Sequence, residues 1–245
     1  MPDFDMFQSS DIYADTFARM LAISGSPIYL TDKPDNINVD TVRKLVLPSG
    51  EIPKYDSIAE VLESRLFIDP YAGGNVLVAF ARKRDSITLG IFNVAETGQS
   101  CSGQILINEL NLQGERFIAY SDKEQFETHI VDIDGFVEFS LKNMESDLIT
   151  LSPVKDGFGL IGVINYFAAP ATVEFVEVKD GTCYISLKSP GLLVGYCENE
   201  PRRVVCGGKN LTRTESLPAM GCYSWHESIL SVCADSTNME IQTMG

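Results

Sequence analysis

Histidine, tryptophan and basic residues are scarce in this 245-residue chain, with two His, one Trp and 19 Lys plus Arg. Set against 34 Asp plus Glu, this gives a formal net charge of −15. That balance argues against nucleic acid, because neutralising phosphate requires clustered cations. Only Arg82-Lys83-Arg84 and Arg202-Arg203 form basic runs, and both read as solvated turns. No apolar run approaches the ~18 residues of a membrane-spanning helix, so no membrane partner is expected. His129 and His226 lie far apart, and the six cysteines form no Cys-x-x-Cys pair. A metal site of normal spacing is therefore not expected, and no cofactor is implied. There is no Gly-x-Ser-x-Gly and no usable Ser/His/Asp set. Gly73-Gly74 and Gly207-Gly208 lack the strand-to-helix context of a phosphate loop and read as turns. Export is not expected either: Asp3 and Asp5 stand where a signal peptide needs positive charge. With the cysteines read as buried free thiols, the expectation is a cytoplasmic protein. Cys197 and Cys206 flank a turn, and their pairing stays open. Asn210-Leu211-Thr212 is a glycosylation sequon that matters only in a secreted eukaryotic protein.

What is present is an ordinary globular composition, 44% hydrophobic and 22% charged, in a chain long enough for a sizeable core. The first 34 residues are the most informative. Asp3 and Asp5 sit at i, i+2, which places both on one face of a strand. Ser9-Ser10-Asp11 offers N-caps for a helix reaching Ser24, with Gly25 as its stop. Tyr13, Phe17, Met20, Leu21 and Ser24 fall on one face and read as core, while Asp15 and Arg19 read as an exposed pair. Residues 27–31 then read as a short buried strand, with Tyr29 in the core and Asp32 at its end. Strand end, helix and strand, with acids at both strand ends, is the unit of a (β/α)8 barrel. Such barrels build their active sites at those ends. One unit cannot close a barrel, so the chain reads as part of something longer.

A second helix is predicted over Asn38–Leu47 with Val39, Val42, Leu45 and Val46 inward, ended by Pro48. Ser57-Ile58-Ala59-Glu60 has a capping-box pattern and predicts one more short helix. After residue 65 the pattern changes to short β-rich runs at 75–82, 86–95, 103–110, 116–121, 128–133, 136–141 and 147–152. Others follow at 160–167, 172–178, 182–187 and 192–197, with two more around 219–223 and 229–233. This spacing predicts an antiparallel β-sandwich. Asp134-Gly135 and Asp180-Gly181 read as tight hairpin turns, and Gly157-Phe158-Gly159 as a bend. The expected fold is mainly β: residues 1–65 as the last strand-helix-strand unit of a barrel, and residues 66–245 as an antiparallel β-sandwich domain.

The run Asp3-Phe4-Asp5-Met6-Phe7, with Ile23-Ser24-Gly25-Ser26-Pro27-Ile28-Tyr29-Leu30-Thr31-Asp32-Lys33-Pro34 after it, resembles the raffinose synthase and alkaline α-galactosidase family of glycosidases. The likeness continues through Lys44-Leu45-Val46-Leu47-Pro48-Ser49-Gly50. It returns at Ile91-Phe92-Asn93, Leu151-Ser152-Pro153-Val154 and Leu160-Ile161-Gly162-Val163. One departure is Phe4, where the family usually carries tryptophan, which alters the local pocket shape. The resemblance implies a β-sandwich after a catalytic barrel, and a parent enzyme acting on α-1,6-linked galactose by double displacement without a metal.

Retaining glycosidases need two carboxyl groups about 5–5.5 Å apart across the scissile bond. Asp3 and Asp5 project from one strand face and cannot straddle a sugar, so they do not form that pair. In related α-galactosidases the nucleophile lies in a Lys-x-Asp motif on a strand before this point, and the acid/base also precedes it. Carried over by motif, Asp5 and Met6 become walls of the sugar pocket, with Asp3 beside them. Asp32, in Asp32-Lys33-Pro34, matches the family's strand-end motif and is a further substrate-binding candidate. Its bland reading is a cap on the following loop, of equal weight. Lys54-Tyr55-Asp56 imitates the nucleophile motif but lies after the Asp-Met strand, and reads as an exposed turn. Trp225 and the scattered Tyr120, Tyr166, Tyr196 and Tyr223 read as packing residues.

Catalytic residues are therefore expected to be absent, and the chain alone inactive. Its expected partners are α-galactoside sugars and an upstream barrel segment, with oligomeric state open. Hydrolysis and galactosyl transfer are not distinguished. Two rivals stand beside this reading: a non-catalytic carbohydrate-binding or structural β-sandwich, and a degraded pseudo-enzyme.

Overall fold

The computed structural model describes residues 6–123 and 128–243. Near the N-terminus, helix α1 (Ala14–Ser24) is closed by Gly25 in the left-handed conformation, as expected. Its N-cap is Tyr13, whose amide donates to Asp11 Oδ1, so the polar cluster at 9–11 forms a turn before the helix. The buried face also differs from the periodic reading. Ala14, Ala18, Leu21 and Ala22 face inward, while Tyr13 and Phe17 are exposed. Arg19, expected on the surface, is buried. Small side chains let the helix lie close to the sheet beneath it, and the larger rings are turned outward.

Helix α2 (Val39–Arg43) is a single turn capped by Asn38, shorter than predicted, and leaves Val39 exposed. Leu45 and Leu47 are nevertheless buried. The capping-box segment forms no α-helix. It gives β1 (Glu60–Val61) and a 3-10 turn at Glu63–Arg65, because pairing with the neighbouring strand satisfies its backbone.

Most of the remaining regular structure among the described residues is strand, so the fold is mainly β. The first group is β2 (Leu77–Lys83), β3 (Ser86–Phe92), β4 (Cys101–Leu106), β5 (Arg116–Ser121), β6 (Thr128–Asp132), β7 (Phe136–Leu141), β8 (Ser146–Pro153) and β9 (Phe158–Val163). The second is β10 (Val173–Lys179), β11 (Thr182–Leu187), β12 (Gly191–Cys197), β13 (Pro201–Cys206), β14 (Lys209–Asn210), β15 (Thr212–Arg213), β16 (Cys222–His226), β17 (Ile229–Ala234) and β18 (Asn238–Thr243). Among the described residues they form four sheets: β1-β2-β3-β8-β5-β6, the ribbon β4-β7, β10-β11-β18-β13-β14, and β15-β16-β17-β12-β9. All strand pairs are antiparallel except β15 with β16.

The six-stranded sheet is covered on one face by the β4-β7 ribbon, which encloses Ile87, Leu89, Phe117, Val137 and Leu151. On its other face α1 packs against Ala81, Phe92 and Leu148. The two five-stranded sheets enclose a second core of Leu193, Val204, Leu230, Val232 and Ile241. A smaller seam of Ile118, Tyr120, Ile161, Val194 and Tyr196 joins the two layered bodies.

The Asp180-Gly181 turn connects the β10–β11 hairpin, with both residues at positive φ. Asp134-Gly135 is a turn but not a hairpin, because β6 pairs with β5 and β7 with β4. The chain crosses from one sheet to the other there, since each strand buries its apolar face against the same core from opposite sides. The basic runs are not isolated turns: Arg82 and Lys83 end β2, and Arg202-Arg203 lies in β13. Strands β13 and β18 were not anticipated. β18 alternates buried Met239 and Ile241 with exposed Asn238, Glu240 and Gln242, while β13 carries two consecutive exposed arginines before its buried run.

Candidate functional site

The N-terminal site is built on an isolated parallel bridge between Phe7 and Leu30, which flank α1; the strands expected there reduce to this one pair. Phe7 is buried against Ala14, Ala18 and Leu21, which fixes the entering segment on the helix. Its amide donates to Tyr29 O at 3.2 Å, and Thr31 N donates to Phe7 O at 3.0 Å. The second segment was expected to be buried, yet Tyr29 and Leu30 are exposed. No further described strand pairs with them, so their outer side lies open.

Asp32 lies just past this bridge. Its Oδ2 accepts from Ser9 N at 2.9 Å, and its Oδ1 accepts from Ser10 N and Ser10 Oγ, both at 3.3 Å. Asn36 Nδ2 donates to Ser10 Oγ, and Asn38 N donates to Ser9 Oγ, both at 2.8 Å. One carboxylate thus ties the turn at 9–10 to the loop at 32–38. The Ser9 amide holds the Asp32 carboxyl below its usual range, opposed by partial burial. Three of its roughly four acceptor positions are already used. Asp32 is therefore a fixed anion with limited capacity left for a ligand.

Met6 precedes the bridge and is 72% exposed. Asp32 follows the bridge, so Phe7 lies between these two sequence-predicted residues. Asp3 and Asp5 lie outside the described residues. The segments that flank Met6 and Asp32 in sequence carry exposed Ile12, Tyr13, Tyr29, Leu30 and Ile37.

Lys54-Tyr55-Asp56 is only partly the exposed turn that was expected. Asp56 is exposed and accepts from Lys83 Nζ at 2.6 Å and from Arg84 N at 2.8 Å. The Lys83 ammonium holds its carboxyl below the ordinary range. Tyr55, in contrast, is buried, and its hydroxyl lies near Thr88 without a well-formed hydrogen bond. Tyr55 is packed into the core that α1 covers. Trp225 and the four scattered tyrosines do pack as expected. Tyr120, Tyr166, Tyr196 and Tyr223 are buried, and Trp225 Nε1 donates to Cys197 O at 2.9 Å.

Sequence reasoning missed a polar cluster beneath α1. Arg19 Nε donates to Asp122 Oδ2 at 2.8 Å, with the side chains 10% and 13% exposed. Arg19 also stacks over Phe167, 5.2 Å from the ring centre. Nearby, Asp147 accepts from Ser121 Oγ at 2.8 Å and from Lys123 N at 3.0 Å. Burial pushes the Asp147 carboxyl up despite these bonds. The partners are more than 100 residues apart in sequence, so no local pattern could have signalled the pairing.

Two concavities lie elsewhere on the described surface. One of about 270 Å³ is apolar, walled by Val176, Val178, Ile185 and Leu230, with Lys83, Arg84 and Lys155 at its rim. The other, about 1250 Å³, lies along β5, β6 and β7 and mixes Gln104, Lys123, His129, Glu138, Phe136 and Phe139. Among the described residues no group of three or more His, Cys, Asp or Glu could hold a metal ion.

Comparison with known proteins follows the same lines. Residues 1–107 match the family model for raffinose synthase or seed imbibition protein Sip1. The chain is 27% identical over 242 residues to a galactinol–sucrose galactosyltransferase of Oryza sativa subsp. japonica, covering 85% of this chain and 31% of that protein. It is 25% identical over 240 residues to a stachyose synthase of Pisum sativum, covering 84% of this chain and 28% of that protein. The chain therefore spans about a third of the length of these relatives. Among solved structures, a GH27 β-L-arabinopyranosidase from Geobacillus stearothermophilus superposes with a TM-score of 0.42 at 14% identity, covering 63% of this chain and 38% of that one. That likeness is too loose to carry weight. Residues 1–107 thus carry the match to the raffinose synthase or seed imbibition protein Sip1 family, and most of the chain is similar to plant galactosyltransferases.

Proposed function

We propose that this chain forms one flank of the sugar pocket of an enzyme acting on α-1,6-galactosides, together with an accessory β region. In this reading residues 1–65 are the closing strand-helix-strand unit of a (β/α)8 barrel, and the β region begins near residue 66. Asp5 and Met6 line the pocket, Asp3 stands beside them, and Asp32 lies at the next strand end. The observation that supports it best is the parallel Phe7–Leu30 bridge across α1, with Asp32 immediately beyond it. Parallel pairing through a helix is the repeating step of such a barrel. The exposed Tyr29, Leu30, Ile12 and Ile37 around it are suited to further strands and helices of a longer chain.

The transferred group is galactose. The relatives' names favour transfer from galactinol to sucrose over hydrolysis, within double-displacement chemistry. Nucleophile and acid/base lie on other strands, so this chain alone is inactive. A cytoplasmic location fits six cysteines that form no disulfide. The test is to assay the purified chain with raffinose and with galactinol plus sucrose. No released galactose and no new trisaccharide is the expected result. Turnover by this chain would overturn the assignment of the catalytic carboxylates to missing strands.

A second reading has its own observation. The cleft of about 1250 Å³ along β5, β6 and β7 combines amide, carboxylate and ammonium groups with the half-exposed Phe136 ring. This composition suits a neutral sugar stacked on an aromatic face. It supports carbohydrate binding by the β region without catalysis. Titration of raffinose into the chain and into Phe136→Ala separates the two. Binding lost only in Phe136→Ala supports the β-region reading, and binding indifferent to it removes that reading.

A further inference from the structure

We propose that Cys222 and Cys233 form a reversible disulfide across the β16–β17 hairpin when the protein meets a two-electron oxidant such as hydrogen peroxide.

The register places them together. Tyr223 pairs with Val232, and the step beyond that pair brings Cys222 opposite Cys233. A bulge refines the opposition: Gly221 N donates to Cys233 O at 3.1 Å, while Cys222 N donates to Ala219 O at 3.0 Å. Gly221 takes a φ of 78°, the left-handed conformation such a bulge uses. Cys222 is thereby freed from the regular ladder, in which a bridge between hydrogen-bonded partners is harder to close. Both side chains point to the same face. Tyr223, Val232 and Ala234 are buried in the core between the sheets, so their neighbours Cys222 and Cys233 point the other way, as Ser224 and Ser231 do.

Accessibility separates this pair from the other four thiols. Cys222 and Cys233 are half-buried, whereas Cys101, Cys183, Cys197 and Cys206 are buried. Cys101 Sγ donates to Gly74 O and Cys197 Sγ to Asn199 O, both at 3.0 Å, and Cys206 Sγ to Ser236 O at 3.6 Å. Burial pushes the Cys183 and Cys197 thiols up to about 12, which leaves almost no thiolate at neutral pH. The Cys233 thiol is also raised, by burial first and then by its neighbour Cys222.

The chemistry balances simply. One thiolate attacks peroxide oxygen and becomes a sulfenic acid, and hydroxide leaves as water after protonation. The second thiol displaces the sulfenic oxygen as a second water, forming the S–S bond. Two thiols lose two protons and two electrons, and one peroxide becomes two waters. The product lies at a half-buried position beside a bulge, where a disulfide is open to reduction by dithiols. It would join the two arms of β16–β17, which also anchor β15 and pair with β12.

The test is to expose the reduced full chain to hydrogen peroxide, then block free thiols and measure intact mass and proteolytic peptides. The expected product has lost two hydrogens, carries four blockable thiols, and yields a cross-linked peptide pair containing Cys222 and Cys233. Dithiothreitol should restore six blockable thiols. Cys222→Ser and Cys233→Ser, checked for native circular dichroism, should each abolish the cross-link and leave a sulfenic or over-oxidised single cysteine. A cross-link between any other two cysteines would overturn the proposal, as would six blockable thiols after oxidation. A further readout is thermal unfolding: the oxidised wild type should melt above the reduced form, with no such difference in either variant. Equal melting despite a mapped Cys222–Cys233 bond would overturn the constraint on the hairpin.

Discussion

Arg19 on helix α1 reaches across 103 positions of sequence to donate to Asp122 at 2.8 Å, with both side chains nearly buried. This contact fastens helix α1 to the end of β5. The same guanidinium lies over Phe167. Helix, sheet and the loop after β9 therefore meet at one cation.

Arg19→Ala is expected to destabilise the chain by about 3 kcal/mol, the scale for stranding one member of a buried pair. Asp122→Ala should cost a similar amount. The double variant should cost clearly less than the sum of the two, because it leaves no unpaired charge. Urea unfolding of all four proteins measures the coupling. Strict additivity would mean the pair contributes nothing beyond separate contacts.

Gly162→Ala should be among the most damaging single-methyl additions in the protein. A Cβ there would lie 2.1 Å from Ala169 O, and the residue's φ is +117°. Neither the β9 backbone nor the 3-10 turn at Ala169–Thr172 can move without disturbing the seam between the layered bodies. Loss of soluble expression or a large fall in the urea midpoint is expected. Gly208→Ala has open space around its Cβ and should cost only the strain of its positive φ.

Asp147 is raised by burial, so the folded state holds its proton to higher pH than the unfolded chain. Folded protein thus binds more protons than unfolded across the window opening at the ordinary Asp value, and stability from this group falls as pH rises through it. Asp147→Asn should remove that slope. Comparing unfolding free energies at a series of pH values from 3 to 7 tests it, in a range of about four units set by the usual carboxylate pKa. An unchanged slope in the variant would reassign the effect to another carboxyl.

Asp32 behaves in the opposite sense. Its carboxyl is held low by the Ser9 amide, so its contribution is present above the ordinary Asp pKa and fades as pH falls through the lowered folded value. Asp32→Ala should loosen the turn at 9–10, releasing Ser9 N and Ser10 N. The expected loss is about 1 kcal/mol, the scale of a helix-cap or turn carboxylate. Faster hydrogen exchange confined to residues 8–12 and 32–38 would report it. Exchange unchanged at Ser9 and Ser10 would argue against the staple.

Local signals in the sequence determined a good deal. Alternating hydrophobicity after residue 65 gave the β character and most strand positions, because a strand with one buried face prints its period directly. Gly25 and Asp180-Gly181 marked a helix end and a hairpin, because those backbones need left-handed conformations. Residues 3–34 and 44–50 carried the family resemblance.

Only the tertiary structure decided which sheet each strand joined. Asp134-Gly135 looks like a hairpin locally, yet β6 and β7 enter different sheets because burial against a shared core outweighs the turn. The side of α1 that faces inward was likewise settled by packing: Ala14 and Ala18 permit close approach to the sheet, so the larger Tyr13 and Phe17 face out. The partners of Arg19 and of Asp32 follow from the same cause. Side-chain chemistry is written locally, but who stands opposite is fixed by contacts between distant segments, and no window of sequence contains both.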